Sequence, residues 1–585
     1  MIILGLSGLP HAHDHHLRTH PHASEIDRRI CQGLDSAACL IINGEIRAAA
    51  AEERFSGAKG AGGLPVSAIE YCLDQAGITC DDVDVIAHGF DYYRYRRFFA
   101  HIPDHFEQVL SGHTVMAALT DHGWCDVASR FRPVQHHLAH AASAFYPSGF
   151  DSALSIVSDG IGEIDSLSVH RCAPGNFESL HTQQLDTSLG LLYSVFTRFL
   201  GYAPNSDEYK VMGLSAYGDA DKFMSFFDGF LRNDGGAVIV DWPLGALESG
   251  AEGYPHAMEF LASELGVPGR AQDEEMSSVH ADIAAALQQR FSTVLTELAR
   301  FWLSHTGADA LCLSGGTFLN CLANESIARL PQVRRLFIPP AAGDDGTAIG
   351  AALHVAGELN RTFTPYTGPR YQAGEVSSVL ERAPVRWQHH GFTDSYFDLA
   401  ARDLAEDRII AWFEGRMEFG PRALGNRSIL ALPNGHDIKD RLNRAVKLRE
   451  SYRPFAPAVL DIDYSELFEG EPLDPCRFML CTARVRREQA HRIAGAVHVD
   501  GSARVQIVRR TDNEMFWRLL WRVRELTGIG CVINTSFNVK DQPIIMTPEL
   551  AVDGLLTMSL DRLYIEGFRV AGSDLSDRSQ RQPTQ

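Results

Sequence analysis

Paired cysteines are missing from this chain. Its eleven cysteines are scattered, no CxxC occurs, and Cys476 and Cys481, the closest two, have four residues between them. That pattern excludes a zinc ribbon and a secreted disulfide scaffold. An excess of basic residues is missing too, and the formal charge of −21 makes nucleic acid and anionic membrane unexpected partners. No run approaches the roughly 20 apolar residues of a membrane helix. The opening MIILGLSGLPHAHDHH lacks a basic leader and a small-residue cleavage site, so it reads as a buried first strand, with the cytoplasm as the expected location. What is present is a globular balance of 45% hydrophobic and 22% charged residues. At 585 residues the chain exceeds one hydrophobic core, so two or more domains are expected. An acidic chain of this kind can hold phosphates only where arginines are concentrated locally.

Short apolar runs ending in Gly or Asp recur: Ile2–Gly8, Ala153–Gly160 and Ala310–Gly316. They fit buried strands of an α/β sheet. Helical patterns lie between them, over Ser67–Gly77 and His280–Gly307, the second closed by Gly307 as a C-cap. Strands ending in Gly or Asp commonly build a nucleotide or metal cleft. The pattern weakens over residues 361–385, where Pro, Gly, Ser and Thr suggest a linker between domains 1–360 and 386–572. In the second domain Arg408–Gly415 and Gly530–Asn538 are strand candidates, and 573–585 reads as a frayed tail. No repeat is visible in the sequence. Low complexity is confined to the histidine-rich segment His11–His22.

Two constellations carry chemistry. In PVQHHLAHAASAFY, His136 and His140 stand at i and i+4, which puts both imidazoles on one helix face. Asp159 ends an apolar strand and Asp344 lies in the loop FIPPAAGDDG. Two imidazoles with hard carboxylates suit iron, manganese or zinc; the alternative is a hydrogen-bonded core pair. His137 points elsewhere on such a helix and reads as structural. The second constellation gathers Arg422 and Arg427 in EGRMEFGPRALGNRSIL, Lys447 and Arg453 in AVKLRESYRPFAP, Arg504 in GSARVQIV and Asn534 in CVINTSFN. The guanidinium fork matches phosphate bidentately, as an ATP and acyl-phosphate site requires. Arg484, Arg486, Arg487, Arg509, Arg510, Arg518, Arg522 and Arg524 read instead as solvated surface.

Together these stretches resemble the NodU/CmcH-type O-carbamoyltransferases. The matching blocks, in the family's order, are AAAAEERF, QHHLAHAASAFY, SIVSDGIGE, YKVMGLSAYG, LSGGTFLN, FIPPAAGDDG, GPRALGNRSIL, YRPFAPAVL and INTSFN. The resemblance implies an α/β protein with an N-terminal actin/hexokinase/heat-shock ATPase-like domain and a C-terminal YrdC-like α/β domain. It implies that the latter makes carbamoyl adenylate from carbamoyl phosphate and ATP. The N-terminal domain would then transfer the carbamoyl group to a hydroxyl of a small natural product beside Fe(II) or another divalent transition metal, with magnesium as a further candidate cofactor. The implied metal ligands are His136, His140, Asp159 and Asp344, and the implied carbamoyl phosphate and ATP residues are Arg422, Lys447, Arg453, Arg504 and Asn534. Gly315, Gly316 and Asn320 would form the adenosine-side loop, and Lys59 would lie near the transfer site.

One departure concerns the family's His-Asp-x-Ser-Ala, whose histidine is a candidate base. Here the stretch reads GLDSAACL, with Leu34 in the histidine's place. Counted from the first strand instead, His13 falls close to that position, inside an inserted histidine-rich segment, and becomes the expected catalytic base. The other reading of the insert is a mobile loop closing over the acceptor. A tRNA threonylcarbamoyl-transfer enzyme is disfavoured by the net charge, and a hydrogenase-maturation enzyme by the absent CxxC pairs. A non-catalytic nucleotide or metal sensor draws support from Leu34 but is opposed by the intact phosphate blocks. The acceptor stays open among an aminoglycoside, a macrolactam, a cephem and a modified sugar, and a homodimer is among the assemblies left open.

Overall fold

The computed structural model describes residues 1–572 apart from 20, 23–34, 97–103, 105, 248–252, 435 and 448–451. Leu34 and the expected tail 573–585 therefore lie outside the described residues. The chain divides into two compact units, Met1–Pro365 with Leu473–Pro475, and Tyr366–Pro472 with Cys476–Gln585.

Among its described residues the first unit contains two five-stranded sheets. One is built from β1 (Ile2–Leu6), β2 (Ala37–Ile42), β3 (Glu45–Ala51), β4 (Val85–His88) and β5 (Phe131–Pro133), in the order β3-β2-β1-β4-β5. β1–β2 and β2–β3 are antiparallel, while β1–β4 and β4–β5 are parallel. The other holds β6 (Ala153–Ser158), β7 (Asp165–Ala173) and β8 (Asn176–Gln184), and, after the hairpin β9 (Leu231–Asp234) and β10 (Ala237–Val240), β11 (Ala310–Ser314) and β12 (Arg335–Phe337). Its order is β8-β7-β6-β11-β12, with the same sequence of antiparallel and parallel pairs. One topology thus occurs twice, although no sequence repeat is visible. All six residues of β6 are buried, as a strand covered on both faces requires, which is why its sequence is a continuous apolar run.

Each copy ends in a helix that follows its fifth strand, His136–Ser148 after β5 and Gly346–Ala356 after β12. These helices meet at Gly350, where a Cβ would come within 1.7 Å of the Ala139 carbonyl oxygen. Only glycine permits that approach. The helix Ser278–Thr306 stops at Gly307, whose φ of 69° places it in the left-handed region.

The second unit is built on one mixed sheet of eight strands among the described residues. They are β13 (Val385–His389), β14 (Ile410–Phe413), β15 (Arg427–Ala431), β16 (Ala456–Leu460), β19 (Gln506–Val508), β20 (Cys531–Ser536), β21 (Arg562–Ile565) and β22 (Phe568–Gly572), ordered β13-β22-β21-β14-β15-β20-β16-β19. The pair β17 (Thr482–Arg484) and β18 (Ser502–Arg504) stands apart. Side chains alternate through the sheet: Ile410 and Trp412 pack with Tyr396, Leu404, Leu519 and Val523, while Ala411 and Phe413 pack with Val376, Leu380, Ala551 and Leu555. Helices therefore cover both faces.

Two expectations need correction. Residues 361–385 are not a plain linker: Ala373–Arg382 is a helix whose Val376, Val379 and Leu380, spaced i, i+3, i+4, enter the second unit's core. The described part of the histidine-rich segment is not an open loop either, since Ala12–Thr19 is a helix with Ala12 and His15 buried. Among the described residues no helix is long and apolar enough to cross a membrane.

Candidate functional site

β6 delivers Asp159 from its end, the helix His136–Ser148 presents His136 and His140 one turn apart, and the loop after β12 brings Asp344 to them. One ligand atom from each of the four lies within 4.8 Å of every other. His136 Nε2 is 3.1 Å from His140 Nε2, 3.2 Å from Asp159 Oδ2 and 3.4 Å from Asp344 Oδ1. His140 Nε2 lies 3.6 Å and 3.4 Å from the same two oxygens. Donors about 2.1 Å from one ion stand about 3.0–3.4 Å apart at octahedral to tetrahedral angles, so the spacing fits a single cation.

The protonation pattern fits as well. His136 Nδ1 is 3.1 Å from the Gly89 carbonyl oxygen, which can only accept, so Nδ1 carries a proton and Nε2 turns toward the centre. Asp159 Oδ2 is buried and receives no hydrogen bond among the described residues. The surrounding charges favour a cation there: burial, which would depress His136, is outweighed by Asp344 and Asp159, and its pKa is raised well above the ordinary value. Burial and His136 push His140 the other way. Asp159 is lowered because His137 and His136 outweigh its desolvation.

Two supporting residues were not foreseen. Glu163, buried just beyond Asp159, accepts hydrogen bonds from the backbone N–H of His136 at 2.7 Å and of Asp91 at 2.6 Å. It thereby caps the ligand-bearing helix at its positive end. The sequence signal was a carboxylate four residues past a strand-end ligand. His137 does not point away from the site, as expected; its Nε2 lies 3.3 Å from Asp159 Oδ1.

The remaining residues expected in the first unit fare differently. Lys59 is exposed, with Nζ 5.7 Å from the Tyr209 ring centroid. With Arg54, which pairs with Glu53 at 3.1 Å, it is one of the positive charges opposing an acidic patch of Asp35, Glu53, Asp344 and Asp345, so it borders the ligand loop. His13 is exposed on the helix Ala12–Thr19, and no contact among the described residues brings it to the ligands. Asn320 caps the helix Cys321–Ala328 through Ala323 N–H and pairs with Gln288, so its amide has structural work. Gly315 has φ +96°, and a Cβ there would meet the Ser158 carbonyl oxygen at 2.1 Å. Strand packing rather than a ligand explains that glycine, whereas Gly316 faces open space.

In the second unit Asn534 is the meeting point. Its Nδ2 donates to Gln506 Oε1 at 2.7 Å and to the Ala423 carbonyl at 3.2 Å, and β20 sets it opposite Ala456 of β16. The segments bearing Arg422, Arg453 and Arg504 thus converge on one residue, and all three arginines are half-buried. Lys447 is spent differently: its buried ammonium donates to the Ser536 carbonyl at 2.7 Å and to the Asn538 carbonyl and Oδ1 at 2.8 and 2.7 Å. It braces the turn after β20. Arg427 is no phosphate donor. It is fully buried over the Phe413 ring and donates to the carbonyls of Glu414, Asn426, Pro369 and Gly415. Glu418, not foreseen, accepts from the N–H groups of Leu424, Asn426 and Arg427 and so shapes the GPRALGNRS loop. Arg510, Arg518, Arg522 and Arg524 form ion pairs with nearby carboxylates.

The chain thus consists of two α/β units, the first carrying a four-residue ligand set, and its class follows from its likeness to known families. Residues 32–353 match the carbamoyltransferase N-terminus and residues 401–571 the carbamoyltransferase C-terminus. The chain belongs to the carbamoyltransferase family. It is 34% identical to an uncharacterised protein of Synechocystis sp., over 94% of this chain and 97% of that protein. It is 34% identical to nodulation protein NolNO of Sinorhizobium fredii, over 92% and 78% respectively. It is also 37% identical to the 3'-hydroxymethylcephem-O-carbamoyltransferase of Amycolatopsis lactamdurans, over 45% of this chain and 48% of that enzyme. Among solved structures, a ROK hexokinase from Thermus thermophilus aligns over 60% of this chain and 98% of its own at 13% identity and a TM-score of 0.30. Full-length HypF in its phosphate- and nucleotide-bound form aligns over 62% and 56% at 12% identity and the same TM-score. At those scores the likeness carries no weight.

Proposed function

We propose that this chain is an ATP-dependent O-carbamoyltransferase acting on a hydroxyl of a small molecule. The observation that carries the reading is the joining of His136, His140, Asp159 and Asp344 into one ligand set within the residues that match the carbamoyltransferase N-terminus. A cephem O-carbamoyltransferase among the relatives supports a hydroxyl acceptor. In this reading the second unit makes the activated carbamoyl group. Carbamoyl phosphate gives up phosphate to water, and an oxygen of the resulting carbamate attacks the α-phosphorus of ATP and expels pyrophosphate. Arg422, Arg453 and Arg504 bind the phosphates, and guanidinium donors placed where charge develops stabilise the displacement. Asn534 Oδ1, buried and accepting no hydrogen bond among the described residues, offers an acceptor to the carbamoyl N–H.

Transfer belongs to the first unit. The acceptor oxygen attacks the carbamoyl carbon, AMP leaves, and the hydroxyl proton passes to a base. A divalent ion, for which we favour Fe(II), supplies a Lewis acid when bound; His136, His140, Asp159 and Asp344 hold it, and Lys59 offsets the acidic surroundings. Purified protein given ATP and carbon-labelled carbamoyl phosphate should yield labelled carbamoyl adenylate together with pyrophosphate. Pyrophosphate release that does not depend on carbamoyl phosphate would overturn the reading.

A further inference from the structure

His137 lies between two proposed ligands in sequence, and its ring is the start of a buried chain. Nε2 faces Asp159 Oδ1 at 3.3 Å, and Nδ1 faces Ser168 Oγ at 2.8 Å. The same Oγ is 2.9 Å from His170 Nε2. Ser168 and His170 sit two apart on β7, hence on one face of it, and His137, Ser168 and His170 are each no more than 3% exposed. The direction of this chain is determined. A carboxylate oxygen only accepts, so His137 Nε2–H donates to Asp159. If Ser168 donated to His170 Nε2, the His170 proton would sit on Nδ1, which is buried and has no partner among the described residues; an unpaired buried N–H is costly. With His170 Nε2–H donating to Ser168 and Ser168 O–H donating to His137 Nδ1, only a lone pair is left unmatched.

We propose that His137, backed by Ser168 and His170, is a positioning residue that holds Asp159 as a one-oxygen ligand. The inference rests on the metal reading above. With Oδ1 tied to His137, only Oδ2 points at His136 Nε2 and His140 Nε2, so the carboxylate cannot rotate to chelate with both oxygens. Coordination positions that a chelating carboxylate would fill stay open for substrate. Ser168 is buried and turned toward His137, so the Asp–His–Ser order here supports a ligand and provides no nucleophile.

Cobalt(II) titration of the full chain, followed by visible absorption, tests this. Wild-type protein should bind one Co(II) per chain. His137→Phe should weaken binding by about 10- to 100-fold, the usual cost of losing such a partner, and should shift the absorption bands as Asp159 gains a second bound oxygen. His137→Gln keeps an N–H donor and should recover most of the affinity and the wild-type spectrum. Ser168→Ala should fall between wild type and His137→Phe. A purely structural role would lower the melting temperature of metal-free protein without altering the Co(II) spectrum. If wild-type protein takes up no Co(II), the metal reading fails. If wild type binds and His137→Phe binds with the same Kd and spectrum, the positioning role is overturned. Should His137→Phe not fold, Ser168→Ala with wild-type Kd and spectrum overturns it equally.

Discussion

Replacing Glu163 by alanine should loosen the helix that begins with the ligand His136. The carboxylate accepts two backbone N–H bonds, from His136 and Asp91, while Arg94 stands 3.8 Å from its other oxygen. A hydrogen bond to a charged group contributes about 1.5–3 kcal/mol, and both donors would be left without a partner. Part of that loss is returned, because burial holds the Glu163 carboxyl above its usual pKa and removing it relieves the desolvation. The expected net cost is about 3 kcal/mol, and Glu163→Gln, which keeps an uncharged acceptor, should cost about 1 kcal/mol. Urea unfolding of metal-free protein reads the stability, and Co(II) titration reads the centre, where Glu163→Ala should bind about tenfold more weakly. A Glu163→Ala protein with wild-type stability and wild-type metal affinity would refute the capping role. Lost stability with unchanged affinity would show that the cap does not govern the centre.

His140→Ala should abolish transfer while sparing adenylate formation, measured as two separate half-reactions in folded protein. Equal loss of both would break the assignment of one half-reaction to each unit. Arg453→Ala should slow adenylate formation by roughly a hundredfold, whereas Arg518→Ala, which loses a surface pair with Asp394, a bond to the Phe392 carbonyl and its place over the Phe397 ring, should leave that rate nearly unchanged. In metal-free protein His136 is raised above the ordinary imidazole range, so at neutral pH an incoming ion must displace its proton. Affinity should therefore rise with pH up to the His136 pKa, by about tenfold per unit for one proton released; a pH-independent Kd would contradict this. His13→Ala should change transfer little, since His13 is exposed and no contact among the described residues links it to the four ligands; a loss of about 10²–10⁴ with intact adenylate formation would restore it as the base.

The strands and the two histidines were legible because both follow short periodicities, while Asp159 and Asp344 were joined to the histidines through the family resemblance. Apolar runs closed by Gly became β1, β6, β11 and β14, the candidate stretch Gly530–Asn538 became β20, and the i, i+4 spacing put His136 and His140 on one helix face. What stayed hidden depends on neighbours distant in sequence. His137 looked inert because the side of the helix it faces is set by β7, some thirty residues on. Arg427 and Arg422 are alike in sequence, and only the carbonyls around Arg427 show that it is a buried strut. The doubled sheet order was invisible because strand pairing is set by backbone hydrogen bonds, which leave little trace in residue identity. The helix at 373–382 could have been read: Val376, Val379 and Leu380 have helical spacing, but the flanking Pro and Gly residues drew attention to a linker.

The duplicated sheet of the first unit divides ownership of the centre. His136 and His140 lie on the helix that closes the first copy, Asp159 leaves the opening strand of the second, and Asp344 lies just before the helix that closes the second. Neither copy alone holds the set. A chain cut near residue 150 would leave two histidines on one fragment and two carboxylates on the other, each a poor host for an ion. The centre is thus a property of the joint, inherited whole or lost, and exchanging either copy for a foreign one would replace half of its ligands at a stroke.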